Sequence, residues 1–102
     1  MAEDDFGGFA PPPFKPDEAL VALKRSLRDA KLAERGAGFE WKGLRAVELA
    51  VEDGAISARV ARRLMRSGTP EWDRYTVKSG ADQRKLVDEV KRRLDRWTRE
   101  DD

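Results

Sequence analysis

The chain contains no cysteine and no histidine. Without cysteine there is no disulfide, no thiolate nucleophile and no cysteine-ligated metal. Without histidine the commonest general base and the commonest metal ligand are both missing. No apolar run approaches the roughly 20 residues that a membrane-spanning helix needs. The opening Met1-Ala2-Glu3-Asp4-Asp5 is acidic where a secretory signal would be basic, so the expected location is cytoplasmic. Glycine-rich phosphate loops, nucleophile elbows and calcium loops are absent as well. The sequence therefore nominates no catalytic residue, no metal and no cofactor, and the chain reads as a non-enzyme.

What is present is charge. Of the 102 residues 40% are charged, above the roughly 25% of an average globular protein, yet the formal net charge is only +1. The length suits one domain. Composition divides it into a tail at 1–14, a domain at 15–100 and a frayed acidic end at 101–102. The tail holds Glu3-Asp4-Asp5, three phenylalanines at Phe6, Phe9 and Phe14, and a proline run at Pro11-Pro12-Pro13. Three consecutive prolines favour an extended polyproline conformation. Phenylalanines in such a leader suit a docking peptide, with Phe14 also placed to fold back over the start of the first helix.

A helix is expected from about Asp17, its N-cap, to Arg35. Leu20, Leu23, Leu27 and Ala30 form its apolar stripe, and Gly36 is its expected C-cap. A strand with Phe39 and Trp41 on one face should follow. A three-residue loop, Lys42 to Leu44, would then set Trp41 opposite Arg45 and Phe39 opposite Val47.

The strongest local signal is Asp53-Gly54, flanked by alternating apolar residues, which marks a two-residue hairpin. Its register sets Val51 against Ile56, Leu49 against Ala58 and Val47 against Val60 on a dry face. Glu48 meets Arg59 and Ala50 meets Ser57 on a wet one. Ile56, Val60, Ala61, Leu64 and Met65 also fit one helical face, which would make 44–66 a helix-turn-helix. The strict alternation of Val47, Leu49 and Val51 favours strands, since a helix would point Leu49 away from the other two. Trp72 to Lys78 reads as a further strand, with Tyr75 and Val77 on one face and Trp72 on the other. Ser79 and Asp82 then make a relaxed capping box for a last helix with the stripe Leu86, Val90, Leu94 and Trp97. The expected fold is α+β, an antiparallel meander of three to four strands with an N-terminal and a C-terminal helix on one face. Leu23, Leu27, Val47, Leu49, Val60, Val90 and Leu94 should form its core.

Gly36-Ala37-Gly38 follows a helix and is too short to cradle phosphate. The carboxylate pairs Glu52-Asp53 and Asp88-Glu89 fall at a hairpin tip and an outer helix face, where they stay solvated. One feature rises above background. Residues 59–99 carry a net +7 and residues 1–58 a net −3. Arg59, Arg62, Arg63 and Arg66 lie close together with no acid among them, and Lys85, Arg92, Arg96 and Arg99 share an outer face of the last helix. Such asymmetry suits phosphate binding. Against it, Asp88, Glu89 and Asp95 each precede an arginine by four residues, and Glu48 answers Arg59. The reading is a small non-catalytic interaction or adaptor protein with a protein partner. The alternative is a nucleic-acid-binding accessory protein using those eight basic residues.

Overall fold

A computed structural model describes residues 14–64 and 71–100. Helix α1 (Pro16–Asp29) leads into five strands and a long closing helix. The strands are β1 (Ala33–Arg35), β2 (Gly38–Trp41), β3 (Leu44–Glu52), β4 (Ala55–Ala61) and β5 (Trp72–Val77), followed by α2 (Gly80–Glu100). The sheet is an antiparallel meander in the order β1-β2-β3-β4-β5. The fold is α+β, with one strand more than the expected three to four.

The extra strand exists because α1 stops early, at Asp29 and not at Arg35. Lys31 takes the left-handed conformation, φ 77°, that sequence reading reserved for Gly36. The Leu32 amide then donates to the Leu27 carbonyl at 3.2 Å, and the Lys31 amide to that of Arg28 at 2.9 Å. Those two bonds define a Schellman cap, in which the residue after the left-handed one packs back on the helix. Leu32 and Leu27 are both buried accordingly. Gly36 is no cap. It sits with Ala37 in the turn joining β1 to β2. Asp17 is likewise not the N-cap: Lys15 holds that place and Pro16 begins the helix, where its missing N–H costs nothing.

The central hairpin has the expected register, Val47↔Val60, Glu48↔Arg59, Leu49↔Ala58, Ala50↔Ser57 and Val51↔Ile56. Asp53 and Gly54 both have positive φ, 51° and 74°, as a type I′ turn requires. The β2–β3 connection differs from expectation. Trp41 pairs with Leu44 and not Arg45, leaving the two-residue turn Lys42-Gly43. A bulge at the Phe39/Glu40 step then restores Phe39↔Val47. That bulge brings backbone close to Gly38, where a Cβ would lie 2.3 Å from the Val47 carbonyl oxygen. Only glycine fits there.

Both helices cover the dry face. Leu23 and Leu27 of α1 and Leu86, Val90, Leu94 and Trp97 of α2 join Phe39, Val47, Leu49, Ile56, Ala58, Val60 and Val77 in one core. All seven residues expected to be core are buried. Ser79 caps α2 by accepting from the Asp82 amide at 3.1 Å, while the Asp82 carboxylate accepts from the Lys78 amide at 3.0 Å. The opposite sheet face is polar, with Glu48 bridging Arg45 and Arg59.

Candidate functional site

One buried charged side chain ties α2 to the sheet where the candidate residues gather. Arg93 of α2 is 8% exposed, inside the stripe formed by Val90, Leu94 and Trp97. Its guanidinium donates to the carbonyls of Val60 (3.3 Å) and Ala61 (3.0 Å), to Asp73 (2.8 Å), to the Tyr75 hydroxyl (2.9 Å) and to Glu89 (2.8 Å). Helix α2 is thereby tied to the end of β4 and to β5. Asp73 can face the dry side because it lies between two guanidinium groups. Arg62 donates to it at 2.8 Å and Arg93 at 2.8 Å. Those bonds, Arg62 first, hold the Asp73 carboxyl below the usual carboxylate range. Burial works to lower the pKa of Arg93, and the carboxylates of Glu89 and Asp73 outweigh it, leaving the guanidinium firmly charged.

The tie opens a groove of about 710 Å³ one helical turn further on. Trp41 and Leu44 enter it as a cross-strand pair from the β2–β3 turn. Arg62, Arg63 and Leu64 enter as the chain leaves β4, and Arg96, Trp97 and Glu100 from the last turns of α2. The rings of Trp41 and Trp97 lie 6.3 Å apart at 39°, making a tilted aromatic floor. Trp97 is 4% exposed, whereas Trp41 is half-buried, lines the groove and carries the Lys42 ammonium 4.7 Å over its ring.

The three arginines differ in availability. Arg62 is engaged by Asp73, whose hydrogen bond and charge raise its pKa. Arg63 is exposed and makes no ion pair among the described residues. Arg96 makes one long bond, 3.4 Å, to the Arg62 carbonyl. Glu100 is the one acid among the described residues that line the groove. The cleft thus offers two cations beside an aromatic floor. Its described lining side chains offer guanidinium groups and indole rings, which can hold a ligand by charge and stacking.

The other residues singled out from the sequence are dispersed. Arg59 lies on the opposite, polar sheet face, paired with Glu48 and 5.6 Å over the ring of Trp72. Arg92 pairs with Glu89 at 3.0 Å and Arg99 with Asp95 at 2.9 Å. Lys85 is exposed toward the other end of α2. Phe14 is half-buried and packs against the core. Arg66, Phe6 and Phe9 lie outside the described residues, as do the acidic tail and terminus. The structure therefore gathers Arg62, Arg63 and Arg96, and separates them from Arg59 by the thickness of the sheet.

The spacing of Glu89 and Arg93 by itself suggests a solvated pair, and the apolar faces of β2 and α2 place Trp41 and Trp97 in the core. The signal for Arg93 was its position, three residues after Val90 and four before Trp97, within an apolar stripe. Among the described residues no helix is long and apolar enough to cross a membrane, and no cluster of ligating side chains could hold a metal ion. Compared with known proteins, the chain matches no family model, no curated protein and no solved structure.

Proposed function

We propose that this chain is a non-catalytic interaction protein whose arginine–tryptophan cleft receives a segment of a protein partner. The observation that carries the reading is the pairing of Arg63 and Arg96, both short of acidic partners, with the floor of Trp41 and Trp97. Arginine and tryptophan are the residues over-represented among binding hot spots, and a groove of 300–1,000 Å³ is the usual size of a ligand site. The chemistry of the lining defines the occupant: a carboxylate to meet a guanidinium fork, and a flat apolar side chain to lie against the half-buried Trp41. An acidic peptide segment with an aromatic residue supplies both.

Binding to a nucleic-acid backbone is less well supported. It needs basic groups along one continuous track. Here Arg59 is on the far sheet face, and Arg92 and Arg99 are already paired on α2.

The test is a titration of the full chain with acidic phenylalanine-bearing peptides and with single-stranded oligonucleotides, at about 0.15 M salt, where exposed charges are screened beyond about 8 Å. Tryptophan fluorescence reports binding. Saturable peptide binding that an Arg63→Glu/Arg96→Glu double variant loses supports the proposal. Oligonucleotide binding of the wild type with no response to any peptide refutes it.

A further inference from the structure

The cleft asks for acids next to an aromatic ring, and the chain itself carries such a sequence: Glu3-Asp4-Asp5-Phe6-Gly7-Gly8-Phe9. We propose that the natural occupant of the cleft, in the absence of a partner, is this segment of the same chain, so that the protein regulates access to its own docking site. The inference rests on the reading of the cleft as an acidic-peptide site and goes beyond it by naming a ligand.

Charge complementarity carries the proposal. Three acids in a row face no basic residue before Lys15. The cleft presents Arg63 and Arg96 without ion-pair partners among the described residues. The order of the two chemistries also fits. Acids that meet guanidinium groups at the rim leave Phe6, the next residue, to reach the Trp41–Trp97 floor. The two glycines after it add no side-chain volume. The repulsive element is Glu100, one acid against two available arginines.

Reach permits it. An extended chain spans about 3.3 Å per residue, so the eight residues from Phe14 back to Phe6 cover up to about 26 Å. A fold of 81 described residues has a radius of gyration near 12 Å, so the segment spans about two such radii. Tethering also makes weak contacts sufficient. A short linker gives an effective concentration of about 1 mM, so a segment that binds in trans with a Kd of about 100 µM fills the cleft about nine-tenths of the time. The apparent affinity for a competing peptide then falls about tenfold.

The experiment compares the full wild-type chain with a full-length variant neutralised in the segment, Glu3→Gln, Asp4→Asn, Asp5→Asn and Phe6→Ala. The chain has three tryptophans. Two line the cleft and Trp72 does not, so their indole N–H signals in NMR include an internal control. Neutralisation should move the Trp41 and Trp97 signals and leave Trp72 in place. A synthetic peptide of residues 1–12 should bind the neutralised variant about tenfold more tightly than it binds the wild type, and return both moved signals toward their wild-type positions. Arg63→Glu/Arg96→Glu should abolish that binding. Identical Trp41 and Trp97 signals in wild type and variant, with equal peptide affinity, would overturn the proposal. An unrelated acidic phenylalanine-bearing peptide separates the two readings. If it binds the cleft while the chain's own segment does not, the tail proposal fails and the docking function stands. If neither peptide binds, both fail.

Discussion

Replacing Arg93 by methionine should cost the fold about 2–4 kcal/mol, and the arithmetic follows from its five hydrogen bonds. Methionine keeps the length and the apolar stem, so packing between Val90 and Trp97 survives. The guanidinium fork is lost. Two of its partners have other donors: Asp73 keeps Arg62 at 2.8 Å and Glu89 keeps Arg92 at 3.0 Å. The carbonyls of Val60 and Ala61 and the Tyr75 hydroxyl lose this donor. The two buried carbonyls cost about 1–3 kcal/mol each without this partner, Val60 at the low end because its bond was long, whereas the half-buried Tyr75 hydroxyl can turn to water. Replacing a whole buried ion pair by apolar groups is often harmless, but removing one member is not. A fold of this size has only about 4–13 kcal/mol of total stability. The loss should therefore lower the melting temperature by about 10–25 °C. Arg92→Met, one position away on the exposed face, removes a surface pair of about 0–1 kcal/mol and serves as the control. Thermal and urea unfolding of both variants decide the matter. If Arg93→Met melts within a degree or two of Arg92→Met, the guanidinium is not what holds α2 to the sheet.

Four further outcomes follow from the same geometry. Gly38→Ala should destabilise by about 1–3 kcal/mol, because its Cβ meets the Val47 carbonyl, whereas Gly80→Ala, whose Cβ meets nothing closer than 3.8 Å, should be neutral or better in denaturant titrations. Gly54→Val should cost about 1–3 kcal/mol, since a β-branched residue is strained at φ 74°; chemical shifts of a helix over 47–60 would show the hairpin itself to be wrong. Lys31→Gly should stabilise by roughly 1 kcal/mol, relieving a left-handed lysine at the Schellman cap, and a lower melting temperature would contradict that cap. The Asp73 carboxyl titrates below its ordinary value, so its contribution is complete above about pH 4 and is lost as pH falls through the lower folded-state value; Asp73→Asn should flatten the acid limb of unfolding free energy against pH, and an unchanged limb would argue against the Arg62–Asp73–Arg93 bridge.

The parts of this fold that were legible in the sequence are those set by local chemistry. Asp53-Gly54 specifies a turn whose geometry fixes all five neighbouring pairs, because a slip of one residue would turn Leu49 and Ile56 to solvent. Ser79 and Asp82 mark the start of α2 in the same way. The misreadings arose where two local solutions were nearly equivalent. A helix can end at a left-handed lysine as well as at a glycine when a leucine follows to pack back on it, so Gly36 misled and β1 went unseen. A three-residue loop and a two-residue turn with a bulge both bring Phe39 to Val47, and the sequence does not choose between them. The cleft was the least legible feature. Arg62, Arg63 and Arg96 stand out in the sequence for their charge, but it is the packing of the α2 stripe on the sheet, together with the Arg93 tie, that brings the end of β4 beside the end of α2 and sets Trp41 next to Trp97.

The most direct test of the account is chemical-shift mapping of an acidic phenylalanine-bearing peptide on the full, isotope-labelled chain. Shifts should be confined to Trp41, Leu44, Arg63, Leu64, Arg96, Trp97 and their immediate neighbours, with binding that weakens as salt rises. Shifts centred on Arg59, Trp72 and Arg74 across the polar sheet face, or none in the cleft, would contradict it.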